Sequence, residues 1–397
     1  MQDIGAIHRK EYDLEADGVG KDGEADRIVI ARAPGRLHLL GEHCLSPGLF
    51  LSAAIDRWAQ VAISPRKDGS LRFYAPNLSE RKRTTMASLK YKREDRWANY
   101  AKVAIHLFSE LGVSLKGLNF TVIGDIPQSV GLASSTAIEI ATAMALREML
   151  GFEFDDRALA VALASTHRLY FEQEPCLADY LAGLCWGDEE FLVIDEANLS
   201  ITGIKSPLAG YRLVLTDSRV PRLGTEAEIE TRKLDIAAAV QKLSHRREGA
   251  SLREFVAEDL MDSMGNLPEK IRRRSLYAVQ DIQRVHDAGE LLRRADLPSF
   301  AKLIFHSHEG LRDLYEISCP EIDWMVKRAQ ETPGVCGARM AGEGFGGCTY
   351  ALVKGDAVDE YRNRLDDYER IFGFHPLIHE VGLASGNRIL SGPSSCE

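Results

Sequence analysis

Ionisable side chains are concentrated in residues 33–43, directly after an apolar run that is typical of a strand. This stretch carries Arg36, Glu42 and two histidines, His38 and His43, among apolar neighbours. Buried charges are costly unless each is paired or takes part in binding or catalysis. From this stretch alone a functional site and a salt-bridged structural turn are equally good interpretations, because structural ion-pair networks also concentrate charge.

A second candidate site is the glycine-containing loop 124–136, which leads from a predicted strand into a predicted helix that begins at Ser134. Gly131, Ser134 and Ser135 would bring free backbone N–H groups, two hydroxyls and the positive end of the helix dipole to one place. Such a place is a natural site for an anion, phosphate above all. The loop lacks the lysine of a Walker P-loop, and ordinary capping by Ser134 or Ser135 is the other interpretation, slightly favoured on this loop alone.

The third stretch is a run of four glycines within six residues. Gly342, Gly344 and Gly347 satisfy the spacing GxGxxG, and Gly346 lies between them. A strand-like segment, 349–353, follows instead of the helix that a dinucleotide fingerprint requires, so that interpretation is excluded. So many glycines indicate unusual backbone dihedrals or the close approach of another group.

The elements that must position these stretches can be predicted from apolar periodicity. Residues 1–26 are polar and are predicted to form a loosely held extension before the first strand. A change of domain is expected near 205–212. The remaining elements are predicted as strands over 117–126, 211–216, 348–353 and 376–381, and as helical segments over 134–150, 224–260, 270–330 and 356–370.

Composition excludes several classes of protein. The 397 residues carry 49 Lys and Arg against 59 Asp and Glu, a net charge of −10, which argues against nucleic acid and membrane partners. Seven cysteines without a CxxC pair are typical of a reduced chain without structural zinc. With no apolar leader segment visible, we expect a cytoplasmic protein that is a monomer or a weak homodimer.

In this order the three stretches resemble the motifs of the GHMP small-molecule kinases, and most of all those of galactokinases. The galactokinase motif GRVNLIGEH is matched by residues 35–43, its phosphate loop by 127–135 and its GAGFGGC by 342–348. Further matches lie at 97–102 and 175–179, and the resemblance covers about residues 28–385.

The resemblance implies an α+β protein with the two-domain GHMP kinase fold. An N-terminal α/β domain over 27–208 and a ferredoxin-like α+β domain over 209–397 would hold the active site in the cleft between them. ATP and Mg²⁺ would bind there together with a small-molecule sugar or polyol. The expected reaction transfers the γ-phosphoryl group to a hydroxyl, for which the anomeric C1 hydroxyl is the expected acceptor.

The resemblance also implies roles for individual residues. Asp179 would accept or orient the proton of the attacking hydroxyl, Arg36 would assist it, and Glu42 and His43 would bind sugar hydroxyls together with Asp179. Ser135 would reach Mg²⁺, with Glu172 as the predicted second ligand, although Thr166 and Glu174 are also candidates. The predicted ATP-binding residues are Trp97, Gly131, Leu132, Ala133, Ser134, Ser135, Gly342, Gly344 and Gly346.

The sequence departs from the galactokinase pattern mainly at the expected sugar contacts. Residues 44–47 lack the aspartate that follows this motif in galactokinases, loop 175–179 is one residue shorter, and the expected tyrosine is replaced within 226–228. Because a site built for particular hydroxyls discriminates strongly against other ligands, a changed substrate is expected. Glu343 also brings a negative charge into the glycine loop, and it must point away from a bound triphosphate or be paired.

Two further interpretations stay open at this point. One is a galactokinase proper with a rebuilt sugar pocket. The other is a non-catalytic sensor that binds sugar and ATP, which the joint presence of Arg36 and Asp179 argues against.

Overall fold

The computed structural model describes residues 3–14, 27–44, 47–113, 115–128, 130–222, 224–245, 251–262 and 265–392. The strands are β1 (Val29–Leu40), β2 (Leu49–Arg66), β3 (Ser70–Ala75), β4 (Glu80–Thr85), β5 (Gly117–Gly124), β6 (Glu190–Asp195), β7 (Ser200–Lys205), β8 (Tyr211–Asp217), β9 (Val335–Ala341), β10 (Cys348–Lys354), β11 (Leu377–Val381) and β12 (Ile389–Ser391). The helices are α1 (Ile4–Tyr12), α2 (Ala98–Glu110), α3 (Ser134–Leu150), α4 (Asp156–Phe171), α5 (Leu177–Leu184), α6 (Glu226–Ser244), α7 (Ala257–Asp262), α8 (Glu269–Arg293), α9 (Leu297–Gly310), α10 (Pro320–Gln330), α11 (Val358–Arg364) and α12 (Asp367–Phe372).

The larger sheet is built around the long strand β2. Within the described residues it has eight strands in the order β12, β1, β2, β5, β3, β4, with β6 paired to β2 and β7 paired to β6. Strand β2 has 18 residues, of which the first five pair with β6 and the last eight with β5. Fourteen of them are buried, as expected for a strand that is covered on both faces.

The smaller sheet has four antiparallel strands in the order β11, β8, β10, β9. Numbered along the chain, this order is 4-1-3-2, with helices between the first and second strands and between the third and fourth. The connectivity is therefore β-α-β-β-α-β, and the ferredoxin-like prediction is confirmed. The division of the chain at residues 208 and 209 stays a prediction, and strand β12 returns to the larger sheet.

One continuous apolar cluster extends from the larger sheet into the smaller one. It includes Leu213 and Leu215 of β8, whereas Val214 between them belongs to a second cluster against α10 and α11. Neighbouring residues of a strand face opposite sides, so β8 contributes to both clusters. Both faces of β8 are thus packed.

Most predicted elements are present with small shifts of their ends. The predicted helix 134–150 is α3, and the strands predicted at 117–126 and 211–216 are β5 and β8. Neither long helical segment is continuous. Segment 224–260 is divided between α6 and α7. Segment 270–330 is divided into α8, α9 and α10, with Pro298 and Pro320 in the first turns of α9 and α10. None of the described helices is long and apolar enough to cross a bilayer.

The prediction of a loose extension over 1–26 is wrong for its first part. Helix α1 begins after Asp3, whose side chain caps it by accepting a hydrogen bond from the Ala6 N–H. The buried ring of His8 then bonds through Nδ1 to Thr121 Oγ1 and through Nε2 to Ser64 Oγ, both at 2.9 Å. Residues 15–26 lie outside the described residues.

Replacement of His8 by alanine should destabilise the protein by about 1–3 kcal/mol, because two buried hydroxyls lose a partner. Burial lowers the pKa of His8 from 6.5 to about 3. The neutral ring is therefore favoured by folding, so the effect should be full above pH 6.5 and should shrink as the pH falls toward 3. Urea unfolding at several pH values measures this loss of stability. The control is His286→Ala, since His286 is exposed. Equal stability of both variants at neutral pH would contradict the anchoring of α1.

Candidate active site

Asp179, in the first turn of α5, lies against two residues of strand β1. Arg36 and His38 are two positions apart, so they share one face of the strand. Arg36 Nε donates to Asp179 Oδ1 at 2.6 Å, and His38 Nε2 lies 2.9 Å from the same oxygen. The side chains of Arg36 and Asp179 are only 9% and 12% exposed. The predicted catalytic pair is thus a largely buried ion pair.

Electrostatics keeps the pair ionised. Burial by itself would raise the pKa of Asp179, but the Arg36 charge and the hydrogen bond from His38 hold that pKa well below its usual range. Burial also opposes the charge of Arg36, yet Asp179 raises the pKa of Arg36 above its usual value. His38 differs, since burial and the nearby Arg36 charge lower the pKa of His38. A neutral imidazole therefore stands beside a charged carboxylate.

The turn after β1 places Glu42 and His43. Gly41 adopts φ +90°, and its N–H donates to Asp281 Oδ2 at 2.8 Å. Glu42 Oε2 accepts the N–H of Gly342 at 2.9 Å, while its other oxygen lies 3.9 Å from Arg36. Half of the Glu42 carboxylate is therefore already used to hold the glycine loop.

His43 is the less satisfied of the two predicted sugar ligands. Its ring packs against Tyr315 with centroids 5.3 Å apart, and its buried Nε2 has no hydrogen-bond partner within the described residues. Burial lowers the pKa of His43 to about 4, so the ring is neutral near pH 7. A neutral ring with one free nitrogen can bind a sugar hydroxyl.

The phosphate loop is held by Arg36 as well. Arg36 donates from Nη1 to the carbonyl of Gly131 at 2.5 Å and from its backbone N–H to that of Leu132 at 3.1 Å. Ala133 then precedes α3 in the left-handed conformation, and no described side chain caps the helix. The simpler interpretation, capping by Ser134 or Ser135, is therefore wrong. Both hydroxyls make no hydrogen bond to the described part of the chain.

The glycine loop between β9 and β10 touches the phosphate loop. Gly342, Gly344, Gly346 and Gly347 all have positive φ, from +79° to +118°. A Cβ placed on Gly131 would lie 2.6 Å from Gly342 Cα, so only glycines let the two backbones approach so closely. The prediction of close approach is confirmed for this loop. Glu343, which adds a negative charge to the glycine loop, is exposed.

Arg222 follows β8 and reaches the glycine loop. A Cβ on Gly347 would lie 1.8 Å from its Nη2, which also lies 3.4 Å from the carbonyl oxygen of Gly346. Its Nε is buried and has no hydrogen-bond partner within the described residues. Arg222 thus brings an incompletely paired cation to the point where the two loops meet.

Trp97 lines an apolar cavity at the start of α3. The half-buried indole donates to Glu80 Oε2 at 3.0 Å. The cavity includes Ser134 of the phosphate loop, so an aromatic base bound there would have its phosphates directed toward the helix N-terminus. Its other lining residues include Leu78, Val122, Ile126 and Ile138.

Glu172, the second predicted metal ligand, has little geometric support. Glu172 is exposed at the end of α4, and no described hydrogen bond or ion pair joins it to Ser135. Thr166 is buried and donates to the carbonyl of Ala162, and Glu174 lies 3.8 Å from Arg168. The assignment of Glu172 stays a prediction.

Two other acidic groups are poor candidates for this ligand. Glu139, four residues after Ser135, is fully buried with one oxygen 2.7 Å from His167 Nδ1 and the other accepting from Tyr180 at 2.7 Å. The ligand atoms of His38, Cys176 and Asp179 lie within 4.8 Å of one another. Arg36 binds the same Asp179 oxygen, and its charge opposes a metal ion there.

The residues present fit a bound triphosphate with its magnesium ion. The two loops form a cradle that a Cβ would fill, two hydroxyls at the N-terminus of α3 have no hydrogen-bond partner among the described residues, and Arg222 supplies a cation. These are the groups that bind phosphates in proteins. Ser134 and Ser135 both offer a hydroxyl here, and Ser135 as the metal ligand stays a prediction.

Sequence reasoning assigned no role to His38 or Arg222. For His38 a signal was present, because its spacing of two from Arg36 puts both on one strand face. For Arg222 there was none, since its neighbours in the site are more than one hundred residues away along the chain.

Comparison with known proteins gives the family. Three family models match: GHMP kinases N terminal domain over residues 99–185, GHMP kinases C terminal over 289–370, and the galactokinase galactose-binding signature over 20–65. A Treponema pallidum (strain Nichols) protein, whose galactokinase name is provisional, is 35% identical over 396 residues, covering 98% of this chain and 97% of that relative.

Galactokinases of established name are also similar. That of Thermotoga maritima is 31% identical over 360 residues, covering 89% of this chain and 98% of the relative. The crystal structure of Lactococcus lactis galactokinase complexed with galactose matches with a TM-score of 0.86 at 26% identity, covering 96% of this chain and 98% of that chain.

The two-sheet fold, the two glycine-containing loops that meet at Gly131 and Gly342, and the Arg36–Asp179 pair beside them define a small-molecule kinase. The chain belongs to the GHMP kinases, in the branch that carries the galactokinase galactose-binding signature. The predictions of the fold and of the enzyme class, an ATP-dependent sugar kinase, are confirmed.

Substitution of Gly131 by alanine should impair both folding and ATP binding. Gly112 is a matched control, since it has nearly the same φ, +81° against +82°, but open space around its Cβ position. Gly112→Ala should cost about 1 kcal/mol of backbone strain. Gly131→Ala should cost about 1–3 kcal/mol more, because the backbone of Gly342 must move.

Urea unfolding measures the two costs, and the ATP-dependent rise in Tm measures binding. The rise should persist in Gly112→Ala and be lost or reduced in Gly131→Ala. If both variants lost the same stability and kept the same rise, the two loops would not meet as described.

Proposed function

We propose that the protein uses ATP and Mg²⁺ to phosphorylate a hydroxyl of a monosaccharide or related polyol. The anomeric C1 hydroxyl is the expected acceptor. The observation that carries this proposal is the pairing of Asp179. Both of its donors, Arg36 and His38, bind Oδ1, and Oδ2 accepts no hydrogen bond from the described residues. One carboxylate oxygen is therefore held in place while the other is available to a substrate hydroxyl.

Asp179 would act mainly by orienting the nucleophile. Its low pKa keeps it ionised but makes it a weak base. Oδ2 would accept the hydrogen bond of the attacking hydroxyl, and it would take the proton as the new O–P bond forms and the bond to ADP breaks. Phosphoryl transfer depends more on such positioning than on covalent chemistry.

Arg36 and the phosphate loop would stabilise charge. The guanidinium holds both Asp179 and the Gly131 carbonyl, so the base and the phosphate loop keep a fixed separation. Backbone N–H groups at the start of α3 and the Arg222 cation favour negative charge on the transferred group. Mg²⁺ bound at Ser135 would neutralise phosphate oxygens, with Glu172 as the predicted second ligand.

The residues around Glu42 and His43 do not determine which sugar would bind. Cys44 stands where galactokinases begin the segment that supplies an aspartate, and its buried thiol donates to the carbonyl of Ala278. Leu45 and Ser46 lie outside the described residues. Galactose is the second candidate, favoured by the galactose-binding signature and by the galactokinase relatives.

The test is ADP release from Mg-ATP across monosaccharides, deoxy and amino sugars, uronic acids and inositols, with galactose and a no-sugar control included. Turnover on one compound well above the control supports the proposal and identifies the acceptor. Turnover on galactose alone would establish the second candidate. Silence on every compound, with an intact ATP-dependent rise in Tm, would overturn sugar phosphorylation and favour the sensor.

Asp179→Asn should lower kcat by about two to four orders of magnitude while the protein still folds. The amide oxygen can still accept from Arg36 and His38, but the side chain can no longer take a proton. Initial rates at saturating substrate measure the loss, and circular dichroism with the ATP-dependent Tm rise checks the fold. The control is Asp359→Asn, since Asp359 is 94% exposed. Near-normal turnover of Asp179→Asn would show that another group takes the proton.

A further inference from the structure

His38, like Arg222, is a residue of this site for which the family resemblance implies no role. The motif GRVNLIGEH has asparagine at the position that His38 occupies here. The His38 side chain is 1% exposed, and its ring packs against Phe50 with centroids 4.7 Å apart. A ring buried so fully keeps one orientation, and both of its nitrogens must find partners.

Both ring nitrogens of His38 do have partners. Nδ1 lies 2.6 Å from Ser52 Oγ and Nε2 lies 2.9 Å from Asp179 Oδ1. Ser52 is the cross-strand neighbour of His38 in the β1–β2 ladder and is fully buried. The three side chains therefore form one chain of hydrogen bonds, which runs from the sheet to the carboxylate.

The protonation of this chain follows from its ends. An ionised carboxylate only accepts, so Nε2 must carry the proton. The other nitrogen of a neutral ring is then an acceptor, and the hydroxyl of Ser52 must donate to it. One tautomer, with hydrogen on Nε2, satisfies every group in the chain.

We propose that His38 is a positioning residue, which as the neutral Nε2–H tautomer holds Oδ1 of Asp179 and so directs Oδ2 toward the acceptor hydroxyl. The inference rests on the proposed phosphoryl transfer. Arg36 alone would leave the carboxylate free to rotate about its contact, whereas two donors on one oxygen determine the orientation of the other. When reacting groups are held ready for attack, displacing one of them by about 1 Å can lower the reaction rate about 100-fold.

Two substitutions of His38 separate its two hydrogen bonds. The amide nitrogen of glutamine lies three bonds from Cβ, as Nε2 of histidine does, so His38→Gln can still donate to Asp179. The amide of asparagine ends two bonds from Cβ, at the place of Nδ1, so His38→Asn can meet only Ser52. If His38 served only in packing, His38→Asn and His38→Gln would differ in protein stability, and neither would have a specific effect on kcat.

The experiment compares kcat and KM of the three proteins on the acceptor found in the substrate panel. We expect kcat of His38→Asn to fall about 30- to 100-fold with KM for ATP unchanged, and His38→Gln to recover most of the loss. Equal kcat losses in both variants, or no loss in His38→Asn, would overturn the proposal.

His8 supplies a matched control for burial. Its ring is likewise fully buried with a partner on each nitrogen, here two hydroxyls, but it belongs to α1 and lies outside the site. His8→Asn should lower Tm as His38→Asn does, while kcat stays unchanged. A kcat loss in His8→Asn as large as that in His38→Asn would attribute the effect to stability and overturn the positioning role.

A second readout does not depend on turnover. Long-range proton–nitrogen correlation spectra of the ¹⁵N-histidine-labelled full chain report the tautomer of each ring, and the His38→Gln spectrum assigns the His38 signal. We expect a neutral ring with hydrogen on Nε2 at neutral pH. A ring protonated on Nδ1, or a charged ring, would overturn the inference. If the wild-type protein phosphorylated no compound while this tautomer was observed, the proposed function would fail separately from the geometry of His38.

Discussion

The site depends on one constraint, the need to pair the buried charges of Arg36 and Asp179. Removing a charged group from water costs several kcal/mol even after relaxation, and the cost is offset only when the partner and the remaining donors are well placed. Arg36 meets this requirement by bonding to Asp179 and to the Gly131 carbonyl. The same guanidinium therefore fixes strand β1, helix α5 and the phosphate loop relative to one another. What stabilises the fold here also sets the distance across which a phosphoryl group would move.

A second set of buried contacts fixes the other side of the cleft. The turn after β1 is held by groups from the second half of the chain: Asp281 accepts the Gly41 N–H, and the Gly342 N–H donates to Glu42. Arg339 and Tyr350 both donate to the carbonyl of Leu39, and Arg339 is fully buried. Because a buried arginine without partners would be strongly unfavourable, these bonds make the turn a rigid connection between the two sheets. The cleft is thereby built from both halves of the chain.

The sequence was most informative where local rules apply. Apolar periodicity predicted β5, α3 and β8, and the glycine spacing predicted a close approach, which proved to be between Gly131 and Gly342. Helix α1 was missed because its mostly polar sequence buries few residues, Ile4, Gly5 and His8, and its partners are strands far along the chain. The pairing of His38 with Asp179, and the arrival of Arg222 at the glycine loop, depend on tertiary contacts that no local pattern encodes.

The two sides of the site differ in what recognises the ligand. On the phosphate side the contacts are mainly backbone, formed by the start of α3 and by glycines with positive φ, so side-chain changes such as Ala133 or the exposed Glu343 leave the geometry in place. On the proposed sugar side recognition would fall to side chains, and a changed side chain there would change which hydroxyls can be paired. With a cysteine at residue 44 and half of the Glu42 carboxylate already used by Gly342, the pocket has fewer free acceptors than the motif alone suggests. The fold can therefore keep its phosphoryl-transfer geometry while the acceptor it recognises differs.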